Sequence, residues 1–325
     1  MRANDVLGSR AFSLLGLGEC MVELCADVPL GVAHVLRRSY GGDVLNSLIA
    51  AARLGGRCGF ISRVGNDPFG AAMRQSWSDE GIDVSHSPLV PGDNGVYFIS
   101  VDDAGDREFS YRRKDSPASH LAASELSESY IASSEMLLLS GITQALSASA
   151  RESTLVAAQI AKRHGVKVAF DPNYRSRLWA TQGGLNAARD AMRELAPFVD
   201  WLLPSHPADT VLLSDHASEL PIDDFAGSAE SLQGFSALCP QVALKVGARG
   251  CRLHTPIAST HVDGVKAAKV IDSTGAGDLW NGSFLIAVIR GETPVNAATA
   301  AHHLAASKLA YRGAIPPLSL YGSSR

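Results

Sequence analysis

Short apolar runs alternate with amphipathic stretches along most of this chain. Runs of strand length are found at 11–18, 58–65, 136–140, 166–170, 200–204 and 242–247. Between them, apolar residues recur at helical spacing at 44–55, 66–79, 147–164, 224–238 and 294–311. Strands that alternate with helices are typical of βαβ units, so the pattern predicts an α/β fold with a mostly parallel central sheet flanked by helices.

The alternation stops at 92–113. Two runs with strand patterning, 95–101 and 108–113, flank a polar turn, and no helix separates them. A hairpin of this kind does not belong to a βαβ series. Together with the segment 22–40, it predicts a small β-sheet lid beside the parallel sheet.

The segment 270–278 carries the most distinctive candidate chemistry. An apolar pair ends in Asp272, and the turn Gly275-Ala276-Gly277 leads into an apolar helix with Asp278 in its first turn. A glycine turn at a helix start presents N–H donors and a positive dipole end to an anion. A carboxylate beside such a cradle suits phosphoryl transfer. The pattern also fits a plain strand-to-helix turn whose first-turn acid complements the helix dipole.

Weaker candidates lie on the hairpin and after the strand at 166–170. Period-two alternation places Tyr97, Tyr111 and Arg113 on one face of the hairpin. Arg175 follows the carboxyl end of a strand, where functional residues of open α/β sheets gather. Its planar fork suits a carboxylate or phosphate. Both arginines also fit a structural role, as a solvated side chain or as a local partner of carbonyls.

Glycines mark two further candidate binding segments. Gly42 precedes a predicted helix that carries Asn46 one turn in, which would let a small ligand approach the backbone. Lys245, Gly247 and Gly250 end a strand in a pattern that can line the phosphates and base of a nucleotide. Glycine turns between strands usually only turn the chain, so both readings stay open.

Composition excludes several classes of function. The 325 residues carry a formal charge of −4 with no basic run, which argues against nucleic-acid binding. No apolar run approaches the ~18 residues of a membrane span, and residues 1–10 lack a signal-peptide core. Five cysteines without C-x-x-C spacing are typical of reduced thiols. We therefore expect a cytoplasmic protein with neither a membrane nor a nucleic-acid partner.

Three common motifs of nucleotide and hydrolase sites are missing. The Gly16-x-Gly18 pair has Met21 where a dinucleotide fingerprint needs its third glycine. Neither the P-loop pattern G-x-x-x-x-G-K-[ST] nor the serine hydrolase pattern G-x-S-x-G occurs. We therefore expect neither a P-loop enzyme nor a Rossmann cofactor site at Gly16-x-Gly18, and the signals of a serine hydrolase are absent.

In combination, these features resemble one family. The glycine pair with Asn46, the β interruption and the 272–278 motif occur together in the ribokinase-like (PfkB) carbohydrate kinases, which the chain resembles over nearly its whole length. Among them it is most similar to the branch that phosphorylates 2-keto-3-deoxygluconate. The segments that carry this resemblance are 18–24, 41–46, 140–143, 173–179 and 311–316. The resemblance implies one ribokinase-like α/β domain over 1–325, with a lid inserted at about 22–40 and 92–115.

The resemblance also implies roles for individual residues. Asp278 would be the base that activates the 6-hydroxyl of the sugar acid, beside an anion hole formed by Gly275, Ala276 and Gly277. Residues implied to bind the substrate are Gly42, Asn46, Tyr97, Tyr111, Arg113, Ile142 and Arg175. Residues implied to bind ATP are Lys245, Gly247, Gly250, Gly275 and Gly277. Mg²⁺, with no protein ligand assigned, and a homodimer joined through the lid are implied as well.

Two arginines in the implied sugar site favour an acidic substrate. A neutral sugar gives a guanidinium no partner, and burying one unpaired is costly. Arg113 and Arg175 would therefore face the carboxylate of 2-keto-3-deoxygluconate. A related kinase for fructose or ribose and a catalytically weak sugar-acid-binding homologue remain as alternatives.

One segment departs from the family pattern. Family members usually carry N-x-x-E before the ATP half of the chain, and the glutamate organises Mg²⁺ and its waters. Here the matching stretch is 205–208, which begins with Ser205 and ends with Ala208, and Asp209 is adjacent. Losing an outer partner of a metal costs about 10–100-fold, whereas a general base contributes about 10²–10⁴-fold. We expect weaker use of the metal without loss of catalysis.

Overall fold

The fold is described from a computed structural model, which covers residues 10–101, 107–214 and 224–321. The strands in these ranges are β1 Phe12–Leu17, β2 Met21–Cys25, β3 Arg37–Gly41, β4 Cys58–Ile61, β5 Val64–Gly65, β6 Ile82–Asp83, β7 Leu89–Val90, β8 Val96–Val101, β9 Arg107–Arg112, β10 Ser134–Ser140, β11 Lys167–Asp171, β12 Trp201–Leu202, β13 Val242–Lys245, β14 Cys251–His254 and β15 Ser259–Val262. The helices are α1 Asp43–Arg53, α2 Gly70–Asp79, α3 Glu128–Ala132, α4 Gly141–Gln144, α5 Ala148–Arg163, α6 Ser176–Trp179, α7 Gly184–Leu195, α8 Ser228–Ser236, α9 Ala276–Ile289 and α10 Pro294–Lys308.

Nine strands of the described ranges form the large sheet, in the order β15-β14-β13-β12-β11-β10-β1-β4-β6. Neighbours from β6 to β13 run parallel, and only β14 and β15 add an antiparallel edge. The predicted mostly parallel sheet is confirmed. Parallel strands place their carboxyl ends at one edge, and this edge positions the site.

Helices cover both faces of the large sheet. Leu14 and Leu138 enter a core that they share with α1, α2, α9 and α10. Leu15 and Leu137, one residue away in each strand, enter a second core built with α5, α7 and α8. Because successive side chains of a strand point to opposite faces, a sheet covered on both sides needs strands that are apolar throughout. In the described part of the chain, no helix is both long and apolar enough to cross a membrane.

The predicted small sheet also forms. It contains four strands in the order β3-β2-β8-β9, with β2–β3 and β8–β9 antiparallel and β2–β8 parallel. Tyr97 pairs with Tyr111 across β8 and β9, which places both side chains on one face as predicted. Met21, Tyr97 and Ile99 form its buried apolar cluster. The predicted turn at 102–106 lies outside the described residues.

Several elements differ from the sequence pattern, among them the start of α2 and the whole of α7. The pattern at 66–79 predicts a helix with Asp67 as N-cap and Pro68 as its first residue, whereas α2 begins at Gly70 with Phe69 as its N-cap residue. The Asp67 carboxylate does accept hydrogen bonds from the N–H groups of Phe69 (2.9 Å) and Gly70 (3.0 Å). Helix α7 was not predicted. Its buried residues Ala188, Ala191, Met192 and Leu195 do recur at helical spacing, so the sequence carried a signal for this helix that the prediction did not use.

Candidate active site

A cleft of about 1540 Å³ opens at the carboxyl ends of the parallel strands, between the large and small sheets. Most of the predicted site residues line it: Gly42, Asn46, Tyr97, Tyr111, Arg113, Ile142, Arg175, Lys245, Gly275, Gly277 and Asp278. Ala276, Gly247 and Gly250 were predicted too and are not among the lining residues. Long-range folding thus brings together side chains more than 230 positions apart in the chain.

The glycine turn forms the start of α9 at the cleft wall. Gly275 is the N-cap residue with φ +74°, and a Cβ there would lie 2.8 Å from the Cα of Ala314. A side chain at this position is therefore excluded by both conformation and space. Gly277 lines the cleft, and no atom of the described residues lies within 4 Å of the position that its Cβ would take. Helix α9 has 14 residues, and its first turn directs N–H donors and the positive end of the helix dipole into the cleft.

Asp278 has few partners for a carboxylate in this position. Its Oδ2 accepts one hydrogen bond from Asn46 Nδ2 at 2.8 Å. Burial, followed by the negative charge of Asp43, raises the pKa of Asp278 to about 7; the Asn46 hydrogen bond opposes the rise, Asp171 adds to it, and Lys245 opposes it. A carboxylate with a pKa near neutrality is suited to accept a proton as a general base.

Asp272, at the other end of the same motif, is fully engaged. Its Oδ1 accepts a hydrogen bond from Thr274 N–H at 2.8 Å, and its Oδ2 accepts one from Gly313 N–H at 2.6 Å. The ammonium of Lys308 donates to the Asp272 carbonyl at 2.7 Å and lies 3.9 Å from its carboxylate. Both side chains are buried. This network fixes the chain just before the glycine turn.

Lys245 reaches the cleft wall through a buried network. Its Nζ donates to Asp171 Oδ2 (3.0 Å), to the Leu203 carbonyl (2.6 Å) and to Asn281 Oδ1 (2.9 Å). An ammonium has three protons, and three acceptors occupy them. Gly250, which was predicted to bind ATP together with Lys245, lies in the turn between β13 and β14. A Cβ at this position would lie 2.1 Å from the Val262 carbonyl oxygen.

The predicted sugar residues differ in how free they are. Arg175 is exposed, and its guanidinium donates to the Tyr174 carbonyl at 3.1 Å. Arg113 instead forms an ion pair with buried Glu19. The Tyr97 hydroxyl donates to Glu23, so the small sheet already uses it.

Sequence reasoning assigned no role to five acids that line the cleft: Glu19, Asp43, Asp93, Asp115 and Asp171. Asp209 also lines the cleft and was noted only as the neighbour of the segment that departs from the family pattern. Asp43 accepts hydrogen bonds from Ser140 Oγ and from Asn173 Nδ2 (3.0 Å), and burial raises its pKa. The available signal was position: Asp171 ends β11 and Glu19 comes shortly after β1, at carboxyl ends of parallel strands.

The segment that departs from the family pattern is well ordered by its own contacts. Ala208 lines the cleft. Asp209 accepts hydrogen bonds from the N–H groups of Tyr174 and Ser205, each at 2.7 Å. Burial, followed by the negative charge of Asp171, raises the pKa of Asp209 to about 6. Within the described residues there is no group of three or more His, Cys, Asp or Glu side chains that could hold a metal ion.

Together, the layered α/β fold and the site define a class of protein. A mostly parallel sheet carries a glycine turn at a helix start, a neighbouring carboxylate with a raised pKa, and a small sheet across the cleft; these are the features of a ribokinase-like sugar kinase. The model of the pfkB family carbohydrate kinase matches residues 13–320. The chain belongs to this family.

Individual relatives agree with this classification. The chain is 31% identical over 318 residues to 2-dehydro-3-deoxygluconokinase of Escherichia coli K12, covering 93% of this chain and 96% of the relative. A PfkB protein from Polaromonas sp. JS666 superposes with a TM-score of 0.81 at 26% identity, over 97% of this chain and 100% of its own. Fructokinase from Xylella fastidiosa, solved with bound ATP, shares the fold with a TM-score of 0.80 at 20% identity, over 95% and 96% of the two chains.

Proposed function

We propose that this protein transfers the γ-phosphoryl group of ATP to the 6-hydroxyl of 2-keto-3-deoxygluconate. The observation that carries the proposal is Asp278, a carboxylate with a pKa of about 7 in the first turn of α9, beside an open glycine turn. The relative from E. coli supports the substrate class, since the two chains match over nearly their whole lengths.

The residues of the cleft suggest a simple division of work. Asp278 accepts the proton of the 6-hydroxyl, the hydroxyl oxygen bonds to the γ-phosphorus, and the bridging bond to the β-phosphate breaks to release ADP. The helix start at Gly275–Gly277 stabilises the negative charge that builds on the transferred group. Asn46 holds the base in place through its 2.8 Å hydrogen bond.

Mg²⁺ fits the acidic side of the cleft. Asp171 and Asp209 both line it, and the charge of Asp171 contributes to the raised pKa of Asp209. A cation would relieve that repulsion. Since no cluster of three ligands forms among the described residues, these two carboxylates would hold the ion together with phosphate oxygens. When bound, Mg²⁺ neutralises charge on the phosphates.

Arg175 is the residue that we assign to the substrate carboxylate. It is exposed in the cleft, and its hydrogen bond to a backbone carbonyl leaves most of its donors for a ligand. Arg175→Ala should lower kcat/KM for the sugar acid by about 10²-fold, the scale of a lost charge-assisted pair, and barely affect a neutral sugar. The control is Arg193→Ala, which removes an exposed arginine of α7 paired with Asp190.

The test is ADP release with ATP and Mg²⁺ across five sugars: 2-keto-3-deoxygluconate, its galacto epimer, gluconate, fructose and ribose. Turnover confined to the two keto-deoxy acids is the expected result. Fructose or ribose as the best substrate would reduce the proposal to a sugar kinase of another specificity. Sugar-acid binding without ADP release would identify a binding homologue.

We also propose a cytoplasmic homodimer joined through the small sheet. The connection between β2 and β3 exposes four apolar side chains, Val28 (44%), Val32 (63%), Val35 (79%) and Leu36 (38%). A solvated patch of this kind is typical of an interaction surface. Light scattering should give the mass of a dimer, and Val35→Glu should give that of a monomer. A wild-type monomer would contradict the proposal.

A further inference from the structure

Glu19 occupies a position in the cleft that the proposed mechanism does not use. It comes two residues after β1 and is 1% exposed, yet it lines the cleft. Its backbone lies against Gly42, where a Cβ would come within 2.1 Å of the Glu19 carbonyl oxygen. Gly42 begins α1, which carries Asn46, the partner of the base Asp278. Glu19 therefore belongs to the same wall of the cleft as the reacting end of the substrate.

One oxygen of Glu19 is committed to the small sheet. Arg113 Nη1 donates to Glu19 Oε1, and the two side chains are 12% and 1% exposed. The Arg113 guanidinium also lies 4.8 Å from the centre of the Tyr111 ring. Arg113 is thus already neutralised and partly covered, unlike Arg175. An incoming carboxylate would meet a guanidinium paired with a buried acid.

The second oxygen of Glu19 is free to accept a hydrogen bond. Among the described residues, no donor reaches Glu19 Oε2, which is buried. A buried carboxylate oxygen without a partner is costly, and a donor that arrives with a ligand removes that cost. Burial raises the pKa of Glu19, and the charge and hydrogen bond of Arg113 oppose the rise. The net rise agrees with a buried carboxylate that has a donor on only one of its two oxygens. A hydroxyl is the donor that a sugar offers, while a second carboxylate would be repelled.

We infer that Glu19 determines sugar specificity by accepting, at Oε2, a hydrogen bond from a secondary hydroxyl of the substrate. Arg113 then acts as the positioning partner of Glu19, and the substrate carboxylate is left to Arg175. This changes the expectation that both arginines face the carboxylate. The inference rests on the proposed function for the identity of the sugar acid, but not for the contact itself.

The experiment is a comparison of Glu19→Gln with the wild type on three compounds: the best substrate of the sugar panel and its analogues deoxygenated at each of the two secondary carbons. Replacing the charged acceptor should lower kcat/KM for the full substrate by about 10–100-fold, the range of a hydrogen bond to a charged group. On the analogue without the contacted hydroxyl, the variant and the wild type should differ by less than about 3-fold. If Glu19→Gln lowers kcat/KM on one analogue and not on the other, the contacted hydroxyl is the one that the unaffected analogue lacks.

Two results would overturn the inference. An equal loss on all three compounds would mean that Glu19 only supports the structure. A lower KM of Glu19→Gln for the sugar acid would mean that Arg113, once freed, binds the carboxylate. Thermal unfolding checks that the variant folds, and calorimetric binding replaces kcat/KM if the wild type shows no turnover.

Glu23→Gln provides a matched control. Glu23 is also a buried acid, but its two oxygens accept hydrogen bonds from Ser39 and Tyr97. Its substitution should affect all three compounds to the same degree. The wild type on the sugar panel alone decides the proposed function, so failure there is distinguishable from failure of the Glu19 inference.

Discussion

The two ends of the segment 272–278 carry the same side chain in opposite circumstances. Asp272 has a backbone N–H on each oxygen and the ammonium of Lys308 beside it. Asp278 has one neutral amide, from Asn46, and its pKa is raised first by burial and then by the negative charges of Asp43 and Asp171. Burial alone therefore does not make a carboxylate reactive, and within this segment the donors on its oxygens mark the difference. An acid whose lone pairs are occupied holds the chain, whereas an acid left short of donors is ready to take a proton.

Asp278→Asn should have the largest effect on turnover. The amide keeps the shape and can still accept the hydrogen bond of Asn46, but it cannot take a proton. We expect kcat to fall by about 10²–10⁴-fold with KM for the sugar almost unchanged, measured as ADP release at saturating ATP. Retained turnover would mean that Asp278 is not the base, and that its difference from Asp272 has no role in catalysis.

The same variant should not lose stability. The pKa of Asp278 lies above its ordinary value of 3.8, so the folded protein binds this proton more tightly than the unfolded chain. The free energy of unfolding that this group contributes therefore falls as the pH rises from about 4 to about 7, and stays low above that. Asp278→Asn removes the penalty. It should be at least as stable as the wild type at pH 8 in urea unfolding, with the difference vanishing near pH 4.

Lys308→Met should destabilise the protein by removing the cation beside Asp272, the structural carboxylate of the segment. It leaves the buried Asp272 carboxylate without its cation, which typically costs about 3–5 kcal/mol in the free energy of unfolding. Lys167→Met is the matched control, because the Lys167 side chain is 64% exposed in its 2.9 Å pair with Asp200 and should contribute at most about 1 kcal/mol. Equal losses in urea unfolding would contradict a special role for Lys308.

Adding Asp272→Asn to Lys308→Met sharpens this result. The double variant has neither the buried charge nor its partner, although Asn keeps an acceptor for only one of the two backbone N–H groups. It should recover part of the stability that the single lysine variant loses, because the unpaired charge is the main cost. Strictly additive losses would mean that the pair does not act as a unit.

The fold was largely predictable, because it depends on patterns that are local in the sequence. Strands such as 136–140 are apolar up to their last residue, Ser140, and the helix at 147–164 has a cap at Ser147, so element type and the parallel sheet followed directly. The hairpin at 92–113 was recognisable for the same reason. Helix α7 was missed although its buried residues recur at helical spacing, so a local signal was present in the sequence.

The site was predictable only in part. Family resemblance placed Asp278 and Asn46, and the structure shows them in contact. Pairings across long separations, such as Arg113 with Glu19 over 94 positions, follow from the tertiary fold and leave no local signature. The three hydrogen bonds of Lys245 could not be predicted either, because their acceptors are also brought together only by the tertiary fold.

The pH dependence of kcat/KM tests whether Asp278 is the reactive end. Since a base must be deprotonated in the free enzyme, kcat/KM should rise about tenfold per pH unit below pH 7 and level off above it. Asp209, whose pKa is raised to about 6, could give a similar curve. Asn46→Ala separates the two, because the Asn46 hydrogen bond lowers the pKa of Asp278 and its loss should move the midpoint upward. A midpoint that does not move would assign the titration elsewhere.

Ala208→Glu should have the smallest effect, and it extends the comparison to the segment that departs from the family pattern. Asp209 resembles Asp272 in having a backbone N–H on each oxygen, so only its remaining lone pairs can contribute to the Mg²⁺ that it would hold with Asp171, and it does not supply what the missing glutamate would add. A glutamate at position 208, on the cleft wall, should lower the Mg²⁺ concentration needed for half-maximal turnover by up to about 10-fold, and change kcat at saturating Mg²⁺ by less. Calorimetric titration of Mg²⁺ into the ADP complex gives a second readout. Unchanged Mg²⁺ affinity in both measurements would mean that Asp171 and Asp209 already provide what the glutamate supplies in other family members.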